Sequence, residues 1–131
     1  MLFAVFAVKK EIPVYILDSS GQKITTAWGK DGDVPVIGDY DGEGKTDTAI
    51  WRPSTGEWWI KQSNGAVVTK VWGQNGDVPV ARDYDGDGKT DYAVWRPSTG
   101  EWWVIQSSNN GVKTELWGES TDIPVNQPVG R

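Results

Sequence analysis

Two nine-residue stretches, DYDGEGKTD at 39–47 and DYDGDGKTD at 83–91, set carboxylates at alternating positions around paired glycines and then run into an apolar, aromatic segment. In the second, Asp83, Asp85 and Asp87 stand at positions one, three and five, the carbonyl of Lys89 at seven and Asp91 at nine. A tight loop turns alternate residues inward, so these hard oxygens can converge as Ca²⁺ requires, with its six to eight oxygen ligands. Gly88 at position six permits the sharp backbone turn that a Cβ would oppose. Asp39, Asp41, Glu43, Lys45 (by its carbonyl) and Asp47 repeat the arrangement around Gly44, which sets an expectation of about two Ca²⁺ per chain. Glu43 is one methylene longer than Asp, leaving open a weaker first site or coordination through water.

Competing readings of these loops fare less well. Mg²⁺ demands a near-octahedral shell and keeps several of its waters. An EF-hand needs a bidentate Glu at position twelve and flanking helices, whereas position twelve here is Ile50 or Val94 in a strand pattern. Solvated Asp-Gly turns without an ion are the plain alternative. Against it stands the mutual repulsion of eight acidic side chains in two short loops.

The rest of the chain says what must position the loops. With 131 residues, 9 Trp, 16 Gly and 7 Pro, the composition is that of one small domain of short strands and tight turns, an all-β protein. The formal charge of -5 argues against nucleic acid, whose phosphates want a basic face. Absence of Cys and His removes disulfides, thiolate sites and the commonest general base. The opening MLFAVFAVKK has no basic residue before its short apolar run and lysines where a cleavage site would lie, so it reads as a strand. No segment approaches the length of a bilayer-spanning helix.

Internal repetition is the strongest organising signal. Trp28, Trp72 and Trp117 each open a Trp-Gly pair, 44 and 45 residues apart, and residues 28–63 match 72–107 without a gap at 27 of 36 positions. The first residues, slid forward by 44, align as a third, worn copy. Each unit divides into four short strands; in the last copy these are expected over 78–82, 92–96, 101–107 and 112–117, with turns at 97–100 and 109–111. A four-stranded antiparallel unit of about 44 residues predicts a β-propeller blade. The division is a degenerate blade at 1–28 (strands two to four), blades at 29–72 and 73–117, and a closing strand and tail at 118–131.

The pattern GDVPVARDYDGDGKTDYAVWRPSTGEWW resembles the FG-GAP/VCBS type of repeat over residues 2–126, although Trp-Gly stands where the family has Phe-Gly and Val-Pro-Val replaces Gly-Ala-Pro. The resemblance implies calcium-binding propellers of secreted and surface proteins, integrin heads and some lectins. Extracellular calcium modules bind at roughly 10⁻⁴ to 10⁻³ M, which suits an extracellular or cell-surface location. Calcium would then order the link between strands one and two of each blade.

The aromatics admit two readings. Adjacent Trp58 and Trp59, like Trp102 and Trp103, point to opposite faces of a strand, which a blade packed on both sides would bury as core. Trp51 and Trp95 are expected to meet the neighbouring Arg52 and Arg96 in cation-π contacts between blades. Alternatively some of these six rings line clefts and bind glycans, as in lectins similar to this family. No carboxylate pair or activated serine stands out, so no enzyme is expected.

Three blades are too few to close a ring, for which four to eight are typical. The pattern opens within strand two of a blade, and Asp122 to Val125 repeats only strand one, so a homo-oligomer completed by strand exchange is expected. A dimer forming six blades is the simplest form; a filament, a nine-bladed trimer and a piece of a longer array stay open.

Overall fold

The computed structural model describes residues 2–6, 13–18 and 23–124. The regular structure in them is entirely β: β1 (Leu2–Phe6), β2 (Pro13–Asp18), β3 (Lys23–Ala27), β4 (Val34–Pro35), β5 (Thr48–Arg52), β6 (Glu57–Lys61), β7 (Val67–Val71), β8 (Val78–Pro79), β9 (Tyr92–Arg96), β10 (Glu101–Ile105) and β11 (Val112–Leu116). No helix among these residues is long and apolar enough to cross a membrane. The strands form three antiparallel meanders: a three-stranded sheet β1-β2-β3 and two four-stranded sheets, β4-β5-β6-β7 and β8-β9-β10-β11.

The duplication in sequence is a duplication in register. Ala49 faces Ile60 and Ile60 faces Val68 in the middle sheet; Ala93 faces Val104 and Val104 faces Lys113 in the last. In the three-stranded sheet Val5 faces Ile16 and Ile16 faces Ile24, the same register displaced by 44 residues. The Ser-Ser-Gly turn at 19–21 and the tail at 125–131 lie outside the described residues.

Two expectations about strand length need correction. The first strand of the last unit, expected over 78–82, is a strand only at Val78–Pro79; Val80 N–H still donates to the Ala93 carbonyl at 2.8 Å, and Arg82 rejoins the sheet through a separate bridge to Asp91. The third strand ends at Ile105, because Gln106 turns the chain: its N–H donates to the Gly111 carbonyl and its own carbonyl accepts from Asn110 N–H. Residues Ile123 and Pro124, read as strand one of a further unit, belong to no strand here.

Trp51 and Trp58, together with Val36, Ala49, Ile60 and Val94, make the core between the two four-stranded sheets. Each indole of this pair donates its Nε1–H to the same acceptor, the Trp72 carbonyl, at 3.1 and 3.0 Å. That carbonyl is aimed by Gly73, whose φ of +90° a side chain would resist and whose missing Cβ leaves room for Val94 and Trp51. The Trp-Gly pair is therefore a hub: its carbonyl gathers the two core indoles of its own sheet. Its indole reaches the next sheet, since Trp72 Nε1 donates to the Trp103 carbonyl at 3.2 Å and its ring meets Trp103 edge-on. Trp28 makes the corresponding bond to the Trp59 carbonyl at 3.4 Å.

Candidate metal centre

Each acidic loop hangs between the first and second strands of a four-stranded sheet and is wound by its own carboxylates. Asp39 accepts from Gly42 N–H at 2.8 Å and Gly44 N–H at 2.7 Å; Asp83 accepts from Gly86 and Gly88 at 2.8 and 2.9 Å. Gly42, Gly44, Gly86 and Gly88 all have positive φ, 77° to 93°, so the alternation of Asp with Gly answers a backbone requirement. Position nine anchors the loop from below. Asp47 and Asp91 are fully buried; one oxygen accepts from Tyr40 or Tyr84 N–H and the other from Ser63 or Ser107 N–H, at 2.7 to 3.0 Å. These bonds tie the loop start to the turn after the third strand.

The winding brings the carboxylates together. Asp83, Asp85, Asp87 and Asp91 each offer an oxygen within 4.8 Å of the others, and Asp39, Asp41 and Asp47 do the same. Glu43 is not in the first cluster, so the loops differ at the one position where Glu replaces Asp. Lys45 and Lys89 lie exposed at the loop ends. Such all-oxygen donor sets could hold a hard cation.

Electrostatics carry the same mark. Burial pushes the Asp39 and Asp47 carboxyls above the usual range, against the pull of their backbone N–H donors, with nearby carboxylates adding to the rise. Asp85 goes the other way, to about 2, held mainly by hydrogen bonds from Ser108. Burial, more than the neighbouring carboxylates, is the cause of both rises.

The loops also touch. The Asp39 N–H donates to Thr90 Oγ1 at 2.9 Å and Thr90 N–H donates to the Asp39 carbonyl at 2.8 Å. The residue beside ligand position nine in one loop therefore grips position one of the other.

Sequence reading missed a second pair of buried carboxylates. Asp33 and Asp77 receive Arg52 and Arg96 in two-point contacts of 2.8 to 2.9 Å, and also accept from Lys30 and Gln74 N–H at 2.9 Å. The signal was present: Gly-Asp before Val-Pro and Arg after Trp recur together in both copies. The same arginines correct the expected cation-π partners. Arg52 lies over Trp59 at 5.5 Å and Arg96 over Trp103 at 5.2 Å, within one sheet. Trp51 and Trp95 cannot serve, because neighbours along a strand point to opposite faces, whereas Trp59 and Trp103 sit diagonally across on the same face.

Of the six candidate stacking rings, Trp51, Trp58 and Trp95 are core, at most 2% exposed. Trp59, Trp102 and Trp103 are half-buried. Trp59 lines a cleft of about 250 Å³ with Trp28, Gly29, Lys30, Ile50 and Arg52.

Tyr84 gives a pH prediction. Burial raises its phenol to about 12, and its hydroxyl donates to the Val80 carbonyl at 2.6 Å. A folded value above the unfolded value near 10 means the contribution is complete below pH 10 and lost as pH rises toward 12. Because the ring is 40% exposed, solvent screening trims the effect to about 1 kcal/mol. Urea titrations from pH 8 to 12 should show this loss in the parent and a flatter profile in Tyr84→Phe.

Comparison with protein-family models, curated proteins and solved structures finds no match to this chain.

Proposed function

We propose that this chain is a calcium-stabilised structural repeat module of an extracellular assembly, built from propeller-type blades and completed by association with itself. The observation that carries the reading is the doubling of one geometry: two loops, 44 residues apart, each gathering carboxylate oxygens within 4.8 Å at the same place in its sheet. A single acidic turn is ordinary surface. Two wound alike around positive-φ glycines, each with its own buried Asp beneath, support a cation-binding role.

Calcium in this reading is structural. Binding only to the folded loop, it adds stability in proportion to how far its concentration exceeds the dissociation constant, about 1.4 kcal/mol per site at a tenfold excess. Two sites would then raise the melting temperature by about 10 °C in a protein of this size. Thermal melts in millimolar calcium, in magnesium and in EDTA, with calorimetric titration of calcium, test this. A melting temperature indifferent to calcium would sink it.

A glycan-binding reading retains one observation, the cleft in which Trp59 lies under Arg52 beside Trp28. Glycan binding lost on Trp59→Ala, with calcium binding intact, would favour it.

A further inference from the structure

Three Asn-Gly steps, Asn64–Gly65, Asn75–Gly76 and Asn110–Gly111, lie between strands, and each asparagine is exposed. Before glycine, a side-chain amide and the next backbone nitrogen can close a five-membered ring, because no Cβ crowds the approach. What separates the three steps is the state of that nitrogen. Gly65 N–H donates to the Gln62 carbonyl at 2.8 Å, and the Asn64 side-chain oxygen is itself held by Ala66 N–H at 2.9 Å. Gly111 N–H donates to the Asn109 side chain at 2.7 Å. Among the described residues, neither Gly76 N–H nor the Asn75 side chain has a hydrogen-bond partner, and the space around Gly76 is open.

The repeat supplies a comparison for the product. Asn75 is the counterpart of Asp31, and their turns are built alike. Asp77 N–H donates to the Gln74 carbonyl at 3.0 Å and Gln74 N–H to the Asp77 carboxylate at 2.9 Å; Asp33 and Lys30 do the same at 3.1 and 2.9 Å. Each turn aims the buried aspartate that receives Arg96 or Arg52. An aspartate at the centre of this turn is therefore compatible with its geometry, since the first copy already has one.

We infer that Asn75–Gly76 is a site of spontaneous deamidation, the first Asn-Gly step of the folded chain to convert, and that its two products act differently on the Asp77–Arg96 pair. The Gly76 nitrogen loses its proton to water or hydroxide and attacks Asn75 Cγ. A bond forms between them, the bond from Cγ to the amide nitrogen breaks, and that nitrogen leaves as ammonia with a proton from solvent. Water then opens the cyclic imide. Opening at the former side-chain carbonyl gives Asp at 75 on an ordinary backbone, the sequence that Asp31 and Gly32 already have. Opening at the backbone carbonyl gives isoaspartate, whose main chain runs through Cβ and Cγ and gains a carbon between Gln74 and Asp77. The two bonds that close the turn are set for the shorter path, so Asp77 loses its alignment with Arg96 and a buried carboxylate is left poorly paired. No step needs a bound cation, so the inference stands apart from the calcium reading.

The test incubates the whole folded chain in mildly alkaline buffer and maps it by mass spectrometry after trypsin. Lys70 and Arg82 bracket Asn75, which places the three steps in separate peptides. Asn75 should convert first, with Asn64 and Asn110 about tenfold slower, the factor for a hydrogen bond that must break before attack. In urea, where those bonds are gone, the three rates should converge. Asn75→Asp should unfold with the parent, while the aged fraction carrying isoaspartate at 75, resolved by chromatography, should unfold at lower urea. Equal rates in the folded chain, or an unchanged order of rates in urea, would overturn the site. An Asn75→Asp protein less stable than the parent, or an isoaspartate fraction as stable as it, would overturn the effect on the pair.

Discussion

Arg96→Met is expected to lower stability by about 3–5 kcal/mol in urea unfolding, out of proportion to a half-buried side chain near the sheet end. The reason lies in its partner. The Asp77 side chain is 1% exposed, and two guanidinium nitrogens at 2.9 Å supply most of what replaces its lost water. Removing the cation strands a buried carboxylate, which costs more than the pair contributes. The double variant Asp77→Asn/Arg96→Met should therefore recover a large part of the loss, because Asn still accepts from Gln74 N–H and carries no charge. Arg52→Met, facing Asp33 in the same geometry, should behave alike. Simple additivity in either cycle would show that the two side chains act independently and that the Arg-over-Trp stacking carries the stability instead.

The contrast between these pairs and the acidic loops shows which features a linear reading reaches. The loops are contiguous: Asp, Gly and Lys at fixed offsets within nine residues, copied once, so donor set and glycine requirement can both be read locally. Antiparallel meanders were legible for the same reason, since turn signals separate short runs of strand formers. The Asp77–Arg96 pair joins residues 19 apart, and its formation depends on the register that sets Val78 opposite Trp95. The indoles illustrate another limit. Period two says that Trp58 and Trp59 face opposite ways, but which face meets another sheet is decided by packing, and so is the exposure of Trp102 where Trp58 has none. The Trp72 carbonyl, shared by two indoles across three strands, leaves no trace in residue spacing beyond the glycine that aims it.

Asp91 and Asp85 sit in one loop and are expected to fail in opposite ways. Asp91→Ala should cost about 3 kcal/mol even in EDTA, because it leaves the Tyr84 and Ser107 N–H groups without their acceptor beneath the loop, each an unmade bond worth about 1–3 kcal/mol. Asp85 is half-buried beside Ser108, from whose N–H it accepts at 3.2 Å, and one of its oxygens belongs to the acidic cluster proposed to hold a cation. Asp85→Asn should leave the melt in EDTA almost where it was, while the calcium-induced rise contributed by this loop disappears and that of the 39–47 loop stays. The two readouts separate what Asp91 contributes to the fold from what Asp85 contributes to the proposed cation site. An Asp91→Ala protein as stable as the parent in EDTA would remove the buried clamp from the account of the loop. An Asp85→Asn protein with the parental calcium response would remove the cation from it.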